Sequence, residues 1–151
     1  MRVANDILIP ELARLLKEEK EVRFTPSGNS MRPFIEGEKD SVVLAPLNKP
    51  PRKGDILLAR VHIADRITFV LHRVLRVEKY EQETIFVLQG DGNLQGEERC
   101  TIDDIIGIVK HVEYPSGRKK MHTSACLWQC LLPIRKYLLK IYRHTWLKWC
   151  Y

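Results

Sequence analysis

The spacing of apolar positions changes along the chain. Near the start, ELARLLKEEK follows Pro10 and sets Leu12, Leu15 and Leu16 on one face at helical spacing. Proline is tolerated at a first helical position, so a short amphipathic helix over residues 10–20 is predicted. Beyond it the apolar runs are short and rich in Val, Ile and Phe: SVVLAPL (41–47), DILLARV (55–61), ITFVLHRVLRVE (67–78), TIFVLQ (84–89) and DIIGIVKHVEY (104–114). Runs of this length and composition, broken by NKPPRKG, GDGNLQGEE and PSGRKK, read as strands joined by loops. The pattern predicts a mainly β (α+β) architecture built on a coiled or partly barrel-like antiparallel sheet.

From Thr123 the pattern changes again, to TSACLWQCLLPIRKYLLKIYRHTWLKWCY. This stretch is helical in composition but contains Pro133, which breaks or restarts a helix, so two helices are expected. PSGRKK is the expected hinge, dividing the chain into a body, residues 1–114, and a helical tail, residues 115–151. Charge sharpens the division. The net charge is +6, yet the body holds 17 Lys and Arg against all 19 Asp and Glu, while the tail has 8 basic side chains and no acid. The tail also carries all 3 Trp. Basic residues among apolar and aromatic ones fit a helix lying on an anionic membrane surface better than one docked on the body, and nucleic-acid contact ranks last.

With 151 residues, the chain is expected to form one domain with a real core. Its 44% hydrophobic and 29% charged residues exclude the disordered and fibrous classes. No run reaches 18 apolar residues, and the first 20 lack the order of a secretory signal, so neither a spanning segment nor export is expected. A cytoplasmic protein with peripheral membrane contact and reduced cysteines is the expectation.

The stretch most informative about chemistry is FTPSGNSMRPFIEGEK (24–39), in which serines sit in a turn-rich loop containing glycine. Such a loop exposes a hydroxyl beside free backbone N–H groups, which a serine nucleophile needs together with a base and oxyanion donors. Composition does not choose between Ser27 and Ser30.

The order SGNSMRP, KGDILLARV, LHRV, QGDGN and DDIIGIV resembles the boxes of the signal-peptidase and SOS-repressor superfamily of serine peptidases, over roughly residues 24–112. The resemblance implies a signal-peptidase-type fold and a nucleophile at Ser30, the serine before Met31. It also implies a general base at His72, where most bacterial members carry Lys. Histidine in that place is similar to the endoplasmic-reticulum type of signal peptidase. A lysine must be desolvated to act as a base near neutral pH, whereas a histidine needs mainly an orienting partner. Asp91, in QGDGN, is the residue the resemblance assigns to that role, with Asp103 and Asp104 as a second acidic position. The Ser30 backbone N–H would supply one oxyanion donor and the Ser27, Gly28, Asn29 segment another. The loop has one residue more between its serines than the usual SGSM, and the anchor that normally precedes the nucleophile is not expected.

Each residue also has a plainer reading. Serine in a glycine-containing turn is commonly a turn former, a histidine in an apolar strand a satisfied structural residue, and GDGN a type I′ hairpin turn. Met31 and Pro33 read as structural. His122, Cys126 and Cys130 recur every four residues, but a fourth zinc ligand is distant, so packing is preferred and neither metal nor other cofactor is expected. The leading expectation is a serine endopeptidase acting on a leader or precursor peptide held in extended conformation. The alternative is a non-catalytic peptide-binding or membrane-associated module of the same fold. Self-cleavage ranks third, for want of an Ala-Gly or Cys-Gly site in a long linker before Ser30.

Overall fold

The computed structural model describes residues 5–93, 95–121 and 132–149. Helix α1 (Asn5–Lys17) leads into strands β1 (Val22–Phe24), β2 (Ser41–Ala45), β3 (Ile56–Ile63), β4 (Arg66–Lys79), β5 (Thr84–Gln89) and β6 (Glu98–Cys100). After a 3-10 turn (Ile102–Asp104) come β7 (Ile105–Glu113), β8 (Lys119–Met121) and helix α2 (Leu132–Trp149). All strand pairings are antiparallel, in the order β1-β2-β7-β3-β4-β5-β6, with β8 added to β7. The protein is therefore a mainly antiparallel β structure with a helix near each end. The order is an open path, yet β6 curls back into contact with β3, as a coiled sheet does.

The curl explains the nearly continuous apolar run of β3. Ile56 and Leu58 face one hydrophobic cluster, shared with Ile9, Leu12 and Leu16 of α1. Leu57, Ala59 and Val61 face a second, shared with Val74, Phe86, Leu88 and Cys100. A strand buried on both faces loses the alternation that a half-exposed strand shows. Register shifts at Val43/Leu44, Leu58/Ala59 and Val74/Arg76 bend the sheet where the curl needs it. Gly107 fits α1 to the sheet, since a Cβ there would lie 2.9 Å from Leu16 Cδ1.

The sequence-based helix differs from α1 at both ends. The helix begins at Asn5, and Pro10 sits inside it on an exposed position, where it removes only the N–H that the Asp6 carbonyl would accept. It stops at Lys17 because Glu19 turns left-handed at φ 60°, and the N–H groups of Glu19 and Lys20 return to Leu16 O and Leu15 O at 3.1 Å each. PSGRKK, expected as a hinge, closes the β7–β8 hairpin, with Tyr114 N donating to Arg118 O at 2.9 Å. The last strand of the sheet thus ends at Met121. Pro133 falls in the first turn of α2, where proline is tolerated. The other helix expected in the tail, with His122, Cys126, Cys130 and Cys150, lies outside the described residues.

Candidate functional site

The loop between β1 and β2 is a folded turn anchored from below. Met31 and Ile35 are buried in the first cluster, and the N–H groups of Phe34 and Ile35 both donate to Met31 O. Glu38 N donates to Pro26 O at 2.8 Å, and a Cβ on Gly37 would lie 2.1 Å from Gly28 O, so the two limbs of the loop meet where only glycine fits. Ser27, Gly28 and Asn29 form its exposed lip, and Ser30 lies half-buried beneath them.

His72 comes to Ser30 from β4, and the imidazole is almost wholly buried. Its Nε2 is 2.9 Å from Ser30 Oγ, and its Nδ1 is 2.9 Å from Glu98 Oε2. A carboxylate only accepts, so Nδ1 carries the proton and donates it to Glu98, leaving Nε2 to accept the Ser30 hydroxyl. Ser30, His72 and Glu98 therefore form a directed hydrogen-bond chain from three elements distant in sequence.

Glu98, which sequence reasoning missed, opens β6 opposite Leu88. Strand β5 ends at Gln89, opposite Arg73, one place short of His72. The next residue, Gly90, has no side chain to cover the ring, so Glu98 reaches it around the end of the strand. The signal available in the sequence was alternation: Glu98 shares a strand face with buried Cys100, while Arg99 points outward.

Asp91, assigned to orient His72, instead serves Arg73. Its carboxylate takes a two-pronged ion pair from the guanidinium, Nε to Oδ1 at 2.8 Å and Nη2 to Oδ2 at 2.6 Å, with both side chains 2% exposed. Arg73 also donates to Gly54 O at 2.8 Å and lies 5.8 Å from the centre of the ring of Phe34, in the Ser30 loop. Adjacent β-residues point to opposite faces, so an acid bound to Arg73 is held away from its neighbour His72.

The QGDGN turn does touch the site, through its glycines. Gly92 N donates to Ser30 O at 2.7 Å, and a Cβ on Gly90 would meet Ser30 O at 2.5 Å and His72 Nε2 at 3.0 Å. The turn closes with Asn93 N on Gly90 O at 3.0 Å. Neither Asp91 nor Gly92 has the positive φ of the expected type I′ turn.

Asp103 and Asp104 do not form the second acidic position. Asp103 is exposed, and Asp104 accepts from Arg60 Nη2 at 2.9 Å and Thr101 Oγ1 at 2.9 Å. Burial raises the Asp104 pKa, but the hydrogen bonds from Thr101 and Arg60 outweigh it and hold the carboxyl below its ordinary value. Cys100 offers no competing nucleophile, since burial, with the Asp104 charge, pushes its thiol up to about 12.

Ser30 and His72 open onto a cleft of about 1160 Å³. Its apolar floor includes Met31, Ile35, Leu58 and Leu71, and its rim Arg23 and Glu38. Two strand edges without a partner strand among the described residues face it. Among the described residues, strand β1 pairs only with β2, and β4 pairs with β5 only from Arg73 onward, which leaves residues 66–72 with a described neighbour on one side alone. Phe24 of β1 and Phe69, Val70 and Leu71 of β4 line the cleft along these edges.

No protein-family model, curated protein or solved structure matches the chain. Among the described residues no cluster of His, Cys, Asp or Glu is arranged to hold a metal ion.

Proposed function

We propose that the chain is a serine endopeptidase with a signal-peptidase-type fold, in which Ser30 is the nucleophile, His72 the general base and Glu98 the residue that positions His72. The observation that carries this reading is the hydrogen-bonded sequence Ser30–His72–Glu98, each link at 2.9 Å, at the wall of an open cleft. In the reaction, Ser30 Oγ attacks the peptide carbonyl carbon as its proton passes to His72 Nε2. The tetrahedral intermediate collapses with that proton delivered to the departing amine, and an ester remains on Ser30. Water, deprotonated by the same nitrogen, then hydrolyses the ester. Glu98 fixes the ring tautomer and stabilises the imidazolium that forms at each step. The Ser30 N–H, with a neighbour from Ser27 to Asn29, is the donor group for the oxyanion.

The free edges of β1 and β4 support an extended peptide as substrate, adding its backbone to the sheet on both sides of the cleft. The family resemblance adds a leader or precursor peptide with small side chains before the cut. Incubation with a fluorophosphonate and with a peptide library tests the proposal. The expected result is one adduct, on Ser30, and cleavage lost by about 10³-fold or more in Ser30→Ala and His72→Ala. Peptides bound equally by wild type and Ser30→Ala and left uncut would instead identify a binding module.

A further inference from the structure

Helix α2 presents two unlike apolar sites. Leu139 is 2% exposed, whereas Ile134, Tyr137 and Ile141 are 48%, 60% and 61% exposed. At 3.6 residues per turn these three positions fall within an arc of about 60°, and Leu139 lies roughly 170° around the axis from its centre. One side of the helix is thus buried, and an apolar stripe points the other way.

The charge around the stripe is of one sign. Along the helix Arg135, Lys136, Lys140, Arg143 and Lys148 stand against no Asp or Glu. By helical register Lys140 falls beside the stripe, about 90° from its centre. Lys140 and His144 are exposed. The residues before Pro115, by contrast, have an excess of acid, so the cationic character is confined to the end of the chain.

We infer that α2 is a membrane-surface anchor, which lies in the headgroup layer of an anionic bilayer with Ile134, Tyr137 and Ile141 turned into the acyl boundary. A nucleic acid would satisfy the charge but gain nothing from the apolar stripe, whereas an anionic bilayer accepts both. No described helix is long and apolar enough to cross a membrane, so the helix lies on the surface. This inference is independent of the peptidase reading, because no residue of α2 is among the described residues that line the Ser30 cleft.

Co-sedimentation of the full chain with phosphatidylcholine vesicles, with and without phosphatidylserine, tests it. Partition is expected to be at least tenfold higher with phosphatidylserine, to fall with added salt, and to drop about fivefold for each basic side chain neutralised, as in Lys140→Gln. Ile134→Ser/Ile141→Ser, at exposed positions, is expected to abolish sedimentation while circular dichroism stays unchanged. Equal partition to both vesicle types, no sedimentation at low salt, or binding that survives Ile134→Ser/Ile141→Ser and is competed away by RNA would each overturn the inference.

Discussion

The Glu98 carboxylate lies 2.9 Å from His72 Nδ1, on the ring edge opposite Ser30. In the proposed mechanism the acid beside the base comes from a three-residue strand two places across the sheet. Removing its charge while keeping its size isolates its contribution. Glu98→Gln is expected to lower acylation of Ser30 by about 10³–10⁴-fold with stability little changed. Pre-steady-state labelling beside thermal unfolding measures both; acylation at the wild-type rate would remove Glu98 from the mechanism.

Asp91→Ala should behave in the opposite way. It strands a buried guanidinium, and the expected loss of stability is about 3–5 kcal/mol. The double variant Asp91→Ala/Arg73→Met removes the orphaned charge and should recover much of that loss. Urea unfolding of the three proteins decides the point. If Asp91→Ala unfolds like wild type yet fails to acylate, the orienting role belongs to Asp91 after all.

Gly90 is packed tightly against both Ser30 and His72. An added methyl would press on Ser30 O at 2.5 Å and His72 Nε2 at 3.0 Å, so Gly90→Ala is expected to shift Ser30, His72 or both. Overpacking of this kind costs about 1–3 kcal/mol. The expected signature is an acylation rate that falls further than stability does, read by titrating Ser30 with a fluorophosphonate at a temperature where the variant is fully folded.

Acid sensitivity should centre on the far end of the sheet. Glu113 accepts from Arg23 Nε at 2.7 Å, with Lys119 and His111 beside it, and these groups bring its pKa down from 4.5 to about 2. A carboxyl whose pKa is depressed by folding stabilises the protein above the unfolded value and loses that contribution as pH falls toward the folded one. Wild type should therefore lose melting temperature between pH 4.5 and about 2 more steeply than Glu113→Gln. Parallel curves for the two proteins would contradict the assignment.

How much of this was visible in the chain depends on the range of the signal. The central strands were readable because Val, Ile and Leu runs such as ILLARV and TIFVLQ carry their own evidence. Strands β1, β6 and β8 are three residues each, too short for a period to show. Ser30 and His72 were legible through ordered motifs, and the structure brings them together. Asp91 was misassigned because a Gly-Asp-Gly motif fixes a turn but not the direction of its side chain, which buried Arg73 determines. Glu98 lay in a charged run, GEER, whose inward member is selected only by pairing with β5.

Strand β7 lies between β2 and β3, although it follows both in the chain. The Ser30 loop hangs from β1 and β2, whereas His72 belongs to β4, on the other side of that gap. During translation the two halves therefore have no shared hydrogen-bonded strand until Glu113 has left the ribosome, some seconds after His72 at about 5–20 residues per second. The strand that ties the Ser30 limb to the His72 limb is thus among the last parts of the sheet to be made.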